Sequence, residues 1–217
     1  MLTITLLLIL ANVGISLACF QNQDLFYKLC LNPYAVHHRK EWYRLFTHAF
    51  VHGDYLHLGL NMYALWMFSG EQTPYGNIFL EESFASHFGA AKGGFFFLLL
   101  YAGGIMFSSL SAMRRHRDDP GYNAVGASGA TSAVIFAFIL LNPLQGLGII
   151  FIPVYIPGFL FGLLYLMVES YMDKRGQTHI AHDAHIYGAL FGFFFPMLLD
   201  YEFLLNFITS IRDYAGI

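Results

Sequence analysis

Charge is what this sequence has least of. Asp, Glu, Lys and Arg make up 12% of its 217 residues, against about 25% in an average soluble chain. The net charge is −3, so the basic footprint of a nucleic-acid binder is missing and no nucleic-acid partner is expected. Cysteine is scarce as well. Cys19 and Cys30 are the two present, too few for a disulfide-stapled domain. The apolar stretch Leu2–Phe20 has no basic residue before it, the first being Lys28. A signal peptide needs a positive segment there. Ser16 also stands where a lipoprotein signal ending at Cys19 would carry leucine. The stretch is therefore read as a retained first span. Linkers, low-complexity tracts and internal repeats are lacking, which leaves residues 1–217 as one domain.

What remains is apolar. Hydrophobic residues are 57% of the chain and aromatics 18%, with a mean hydropathy of +0.53. Hydrophobic runs place six spans, near 2–20, 55–69, 93–110, 126–141, 147–168 and 184–199. Their lengths approach the roughly 20 residues that cross a bilayer core as helix. Asn142-Pro143 closes the fourth. Residues 21–50 form a long, partly polar connection whose Trp42, Tyr43 and Phe46 suit an element lying at the interface. Residues 70–92, 111–123 and 169–181 are read as loops. Phe203–Ile211 extends or follows the sixth span.

Polar groups at membrane depth are costly and so invite a functional reading. Gly126-Ala127-Ser128-Gly129 opens the fourth span. A lone serine in an apolar run is more often a packing residue or a back-bonded hydroxyl. Here small residues surround it, and on a helix Gly126, Gly129 and Ala133 would share one face. Such a face lets a second helix come close. The sixth span supplies one, because Gly188 and Gly192 follow His185 on its own face. Two smooth helices meeting there would bring His185 to Ser128 as the base that a serine nucleophile needs. The motif is not a soluble hydrolase elbow, which would want glycine at Ala130. Asp183 lies two residues from His185 and points elsewhere on a helix, so the chemistry reads as a Ser–His dyad without a third acid.

His57 and Asn61 are four residues apart on the second span and can aim donors at one point, as an oxyanion hole requires. His48 and His52 read as interhelical hydrogen-bond partners. A metal reading competes. His48-x-x-x-His52 has helical ligand spacing and His182-x-x-His185 adds a second pair. It leaves the Gly-x-Ser-Gly segment without a role and puts no carboxylate within a span near the histidines.

Taken together, these motifs resemble the rhomboid family of intramembrane serine proteases. The matching residues are Tyr43-Arg44, Phe46-Thr47-His48, His52, His57-Leu58-Gly59-Leu60-Asn61-Met62, Gly126-Ala127-Ser128-Gly129 and Ala184-His185 with Gly188 and Gly192. The resemblance implies an all-α polytopic membrane protein, a six-transmembrane-helix bundle of the rhomboid type. It implies Ser128 as nucleophile and His185 as general base and acid. His57, Asn61 and the Ser128 backbone N–H would hold the oxyanion. His48, His52, Arg44, Gly126, Gly129, Ser132, Gly188 and Gly192 would support the site. It implies no cofactor and no metal, a lipid bilayer as surroundings, and transmembrane proteins as substrates. The alternatives are a non-catalytic relative that binds membrane clients and a histidine-box metal enzyme.

Two departures from the family pattern stand out. An aromatic that often packs on the histidine ring is replaced by Ser132, whose hydroxyl becomes the candidate for orienting His185. Tyr43 precedes Arg44 where tryptophan is common. Charge also conflicts with the family topology. Loops 21–50, 111–123 and 169–181 carry nine Lys and Arg, against Lys92 and Arg212 on the other side. The positive-inside rule would put the nine in the cytoplasm. The family resemblance implies the cell (inner) membrane, with the site opening to the non-cytoplasmic side.

Overall fold

The computed structural model describes residues 3–69, 79–148, 154–175 and 181–217. They form eleven helices, one 3-10 turn and a two-stranded hairpin among the described residues. α1 is Ile4–Gln21, begun by Thr3, whose hydroxyl accepts from the Leu6 N–H. The first loop is mostly helical. Asn22 caps α2, Gln23–Leu29, and Asn32 caps α3, Pro33–Arg39, with Pro33 in the first turn. Each asparagine oxygen satisfies an amide that the first helical turn leaves unpaired. α3 ends at Lys40 in a left-handed conformation, φ 62°. α4, Arg44–Thr47, runs into the 3-10 turn His48–Phe50.

α5 is Tyr55–Ser69, as the hydropathy predicts. α6, Leu80–Phe88, falls within what reads from sequence as a loop. Its Phe84 and Leu80 are fully buried. Its Glu81 carboxylate accepts from the Ile4 and Thr5 N–H groups at 2.8 and 2.9 Å and from the Thr5 hydroxyl. An acid at a helix N-terminus meets both the unpaired amides and the favourable end of the dipole. α7, Ala90–Arg115, is longer than its apolar run.

α8, Ser128–Leu141, is the axis of the bundle, and eleven of its fourteen residues are buried. α5, α7, α9, α10 and α11 all pack on it. The small-residue faces meet as expected. A methyl group at Gly188 would overlap the Gly129 carbonyl, and one at Gly192 would overlap that of Ala133. Gly126 is different. It lies in the loop before α8 with φ +119°, so it does not share the helical face.

The fifth span starts later than its hydrophobicity. β1, Gly146–Gly148, pairs antiparallel with β2, Tyr155–Pro157, and α9 is Gly158–Arg175. Leu147, Gly148 and Tyr155–Pro157 of the apolar run thus lie in strands rather than helix, residues 149–153 of the run fall outside the described residues, and Pro157 precedes the helix. At its other end α9 continues through Glu169 to Arg175 into a segment read as loop, because its polar residues suit a helical turn. Lys174 and Arg175 in the last turn complement the helix dipole. α10, His182–Leu199, is followed at a 112° bend by α11, Glu202–Ala215.

α1 and α7 are long and apolar enough to cross a membrane, and α10 with α11 would count as a third span if the bent pair is one. The helices overlapping the predicted spans are α1, α5, α7, α8, α9 and α10. Their apolar surfaces make the chain a helical integral membrane protein, with two to three candidate spans among the described residues by length and composition.

Candidate active site

The loop that precedes Ser128 is held from several directions. Leu31 and Ala124 exchange backbone hydrogen bonds at 2.9 and 3.0 Å. The Asn32 amide donates to the Pro120 and Tyr122 carbonyls. The Gly126 N–H donates to the His48 carbonyl at 3.0 Å. His52 lies beneath this loop, fully buried. The Ser16 hydroxyl reaches the Phe50 carbonyl at 3.0 Å and His52 Nδ1 at 2.9 Å, while His52 Nε2 faces the Ala127 N–H at 3.4 Å. One proton placement satisfies every contact: Ala127 donates to Nε2, Nδ1–H donates to Ser16, and Ser16 donates to Phe50. The ring is then neutral. Burial pushes His48 and His52 each down to about 4. His48 Nδ1 sits on the Arg44 carbonyl at 2.9 Å. Both His52 ring nitrogens and His48 Nδ1 are thus engaged by hydroxyl or backbone partners.

Arg44 is buried and organises the first loop. Its guanidinium donates to Glu41 at 2.6 Å and to the Tyr27 and Cys30 carbonyls at 2.7 and 2.9 Å. That contact holds the Glu41 carboxyl below its usual range.

Ser128 is the first residue of α8, and His185 sits in the first turn of α10. His185 Nε2 lies 2.8 Å from Ser128 Oγ. The close approach depends on glycine. Gly188 and Gly192 let α10 press its backbone onto α8, and Gly129 admits Ser108 of α7. His57 abuts the same loop. A Cβ on Gly126 would stand 2.7 Å from His57 Nε2 and Cε1, so both the positive φ and the ring demand glycine there. His57 Nδ1 faces the Gly53 N–H at 3.4 Å, an arrangement that leaves the proton on Nε2, beside Gly126. Asn61 is buried, one turn along α5, and donates one amide hydrogen to the His57 carbonyl at 2.9 Å. Its second amide hydrogen remains for another acceptor.

Two expectations are corrected. Ser132 does not orient His185. Its hydroxyl pairs with the Tyr165 hydroxyl of α9 at 2.7 Å. Nor is His185 without a neighbouring acid. Glu169 Oε1 lies 3.1 Å from His185 Nδ1, and Glu169 Oε2 lies 2.6 Å from His182 Nδ1. The histidines are three residues apart and so face α9 together. Sequence reasoning missed Glu169 by placing it in a loop. The signal that could have found it is the polar spacing Tyr165, Glu169, at helical period behind the apolar run. Asp183 does point away, to Arg115 at 3.0 Å. Glu169, His182 and His185 also bring three ligand atoms within 4.8 Å of one another, a set able to take a divalent cation through the Nδ1 edge of His185.

Residues 39–202 match the Rhomboid domain family model. The chain belongs to the rhomboid family. Among its relatives is "RHOMBOID-like protein 12, mitochondrial" of Arabidopsis thaliana, 31% identical over 147 residues, 67% of this chain and 43% of that protein. Another is "Presenilin-associated rhomboid-like protein, mitochondrial" of Rattus norvegicus, 30% identical over 151 residues, 68% of this chain and 35% of that protein. The rhomboid chain thus spans less than half the length of these relatives. Both are named as mitochondrial, which lends no support to the cell (inner) membrane.

Proposed function

We propose that this rhomboid is an intramembrane serine protease that cleaves transmembrane segments of membrane proteins. The observation that carries the reading is the 2.8 Å contact between Ser128 Oγ and His185 Nε2. Ser128 attacks the peptide carbonyl as its proton passes to Nε2. The negative oxygen of the tetrahedral intermediate is met by His57 Nε2–H, the free amide hydrogen of Asn61 and the Ser128 N–H, the last at a helix N-terminus. Collapse breaks the C–N bond, and Nε2 returns the proton to the leaving amine. Water then hydrolyses the acyl-enzyme by the same route. The balance of protons and bonds needs no cofactor.

Helix length supports a site below the membrane surface. The fourteen residues of α8 rise about 21 Å, against a hydrocarbon core of about 30 Å. Ser128 at its N-terminus therefore lies at membrane depth when the other end reaches an interface. The first loop, residues 111–127, the end of α9 and the start of α10 gather at that end, as the Leu31–Ala124, Arg115–Asp173 and Arg115–Asp183 contacts require. Several of the basic residues there are engaged. Arg44 is buried against Glu41, Arg115 pairs with Asp173 and Asp183, and Arg117 lies by Asp118. Only Arg44 is withdrawn by burial. The positive-inside rule counts Lys and Arg rather than net charge, so the other eight still favour the cytoplasm. Against that bias we keep the opening on the non-cytoplasmic side, as the family resemblance implies.

The test is cleavage of a transmembrane substrate in proteoliposomes by the wild type and by Ser128→Ala. The variant should fold and fail to cleave. Full activity in Ser128→Ala would refute the assignment.

A further inference from the structure

We propose that Glu169 is a positioning residue for His185, so that carboxylate, imidazole and hydroxyl act in series; this rests on reading Ser128 as the nucleophile. Three observations converge. Glu169 is a carboxylate in an apolar helix, 12% exposed at the side chain. A charge there is costly unless paired. Its two oxygens address two rings on one face of α10, His182 Nδ1 at 2.6 Å and His185 Nδ1 at 3.1 Å. And His185 Nδ1 has no aligned hydrogen-bond partner among the described residues, so Glu169 is the acceptor within its reach.

Oε1 is at ion-pair distance but off the line of the Nδ1–H bond. Alignment requires the ring to turn toward Oε1. Catalytic hydrogen bonds are often loose before substrate binds.

The chemistry fixes the protons. An ionised carboxylate only accepts, so it favours Nδ1–H on both rings. His185 Nε2 is then unprotonated and can accept the Ser128 proton. When it does, positive charge spreads over the ring, and Nδ1–H faces the Glu169 anion. Glu169 gains no proton; it stabilises the ion pair and holds the tautomer. His182 pins the other oxygen and sets the direction of the first. Tyr165, one turn earlier on α9, bonds Ser132, one turn after Ser128 on α8. α9 is thereby fixed to the serine helix as well as to the histidine helix. The aromatic platform missing at Ser132 has a replacement of different chemistry, a carboxylate.

The bland alternative is that Glu169 ties α9 to α10 and nothing more. Kinetics separates the two. In Glu169→Gln the amide presents N–H to Nδ1 and favours the wrong tautomer. Reconstituted full chain should lose about 10²–10⁴ in kcat with KM and melting temperature near wild type. Fluorophosphonate labelling of Ser128 should slow by a similar factor. Glu169→Asp should recover part of the loss. In a His185→Ala background, Glu169→Gln should cause no further loss, because the residue acts through the ring. A Glu169→Gln enzyme within twofold of wild type in kcat overturns the proposal. So does an equal loss in the His185→Ala background, or a loss matched by a fallen melting temperature. So does wild-type activity that a chelator abolishes and zinc restores, since the three residues would then be a cation site. Wild type that neither labels nor cleaves refutes the protease reading itself and is distinguishable from all of these.

Discussion

Gly188→Ala is the sharpest test of how the fold makes the site. The new methyl group would overlap the Gly129 carbonyl, which is backbone and cannot swing aside. An ordinary carbon–oxygen contact needs about 3.3 Å, so α10 must retreat from α8 by roughly 1 Å. His185 is one helical turn away on the same face and retreats with it. A Ser128–His185 contact of 2.8 Å would open past hydrogen-bond reach. Overpacking of this kind costs about 1–3 kcal/mol, while a displacement of about 1 Å costs on the order of 10²-fold in rate. The assay is fluorophosphonate labelling of Ser128 alongside a thermal melt, both in detergent. We expect a stable enough protein to purify, a fall in melting temperature, and labelling slowed about 100-fold. A variant that melts and labels like wild type would refute the packing argument, because the two helices would not be in the contact described.

Other consequences follow from the same geometry. Asn61→Ala and His57→Ala should each lower kcat by about 10²–10³ with little change in KM. The double variant should be less than additive, since both donors serve one oxygen; a variant that only melts lower marks a packing group. Ser132→Ala removes the partner of the half-buried Tyr165 hydroxyl and should cost about 0.5–1.5 kcal/mol of stability. Because the Ser132–Tyr165 bond also ties α9, and with it Glu169, to α8, labelling of Ser128 should slow by less than Glu169→Gln slows it, whereas a loss as large as that of His185→Ala would return Ser132 to His185. The pH dependence of stability has a definite sign. His48 and His52 are held near 4 by burial, while an unfolded histidine titrates near about 6.5. As pH falls the unfolded chain takes up these protons first. Stability is therefore full above about pH 6.5 and declines toward pH 4, by up to about 1.4 kcal/mol per pH unit for each ring. A melting temperature constant from pH 7 to 4.5 would contradict this.

The sequence carried the site further than it carried the helices around it. The Ser128–His185 contact was readable because small residues at Gly129, Ala133, Gly188 and Gly192 on two apolar runs favour close helix approach, and α8 and α10 meet along them. The length of α9 was not readable from hydropathy. Hydropathy marks where a helix is apolar, and α9 begins after a hairpin inside its apolar run and ends in a polar turn. That displacement hid Glu169. Gly126 was misplaced for a related reason: a glycine at helical spacing cannot be told from one required by a positive φ until the backbone is seen. α6 was hidden because its nine residues mix Glu81 and Glu82 with Leu80 and Phe84, and the carboxylate of Glu81 is spent on capping α1, a partner remote in sequence.

The most direct measurement is fluorophosphonate labelling with peptide mapping on wild type, Ser128→Ala and His185→Ala in proteoliposomes, with transmembrane-substrate cleavage read in the same samples. A working Ser128–His185 pair predicts one labelled residue, Ser128, in the wild type, no label in Ser128→Ala, labelling slowed at least about 100-fold in His185→Ala, and cleavage lost in step. Label on another residue, or cleavage that survives Ser128→Ala, would contradict it.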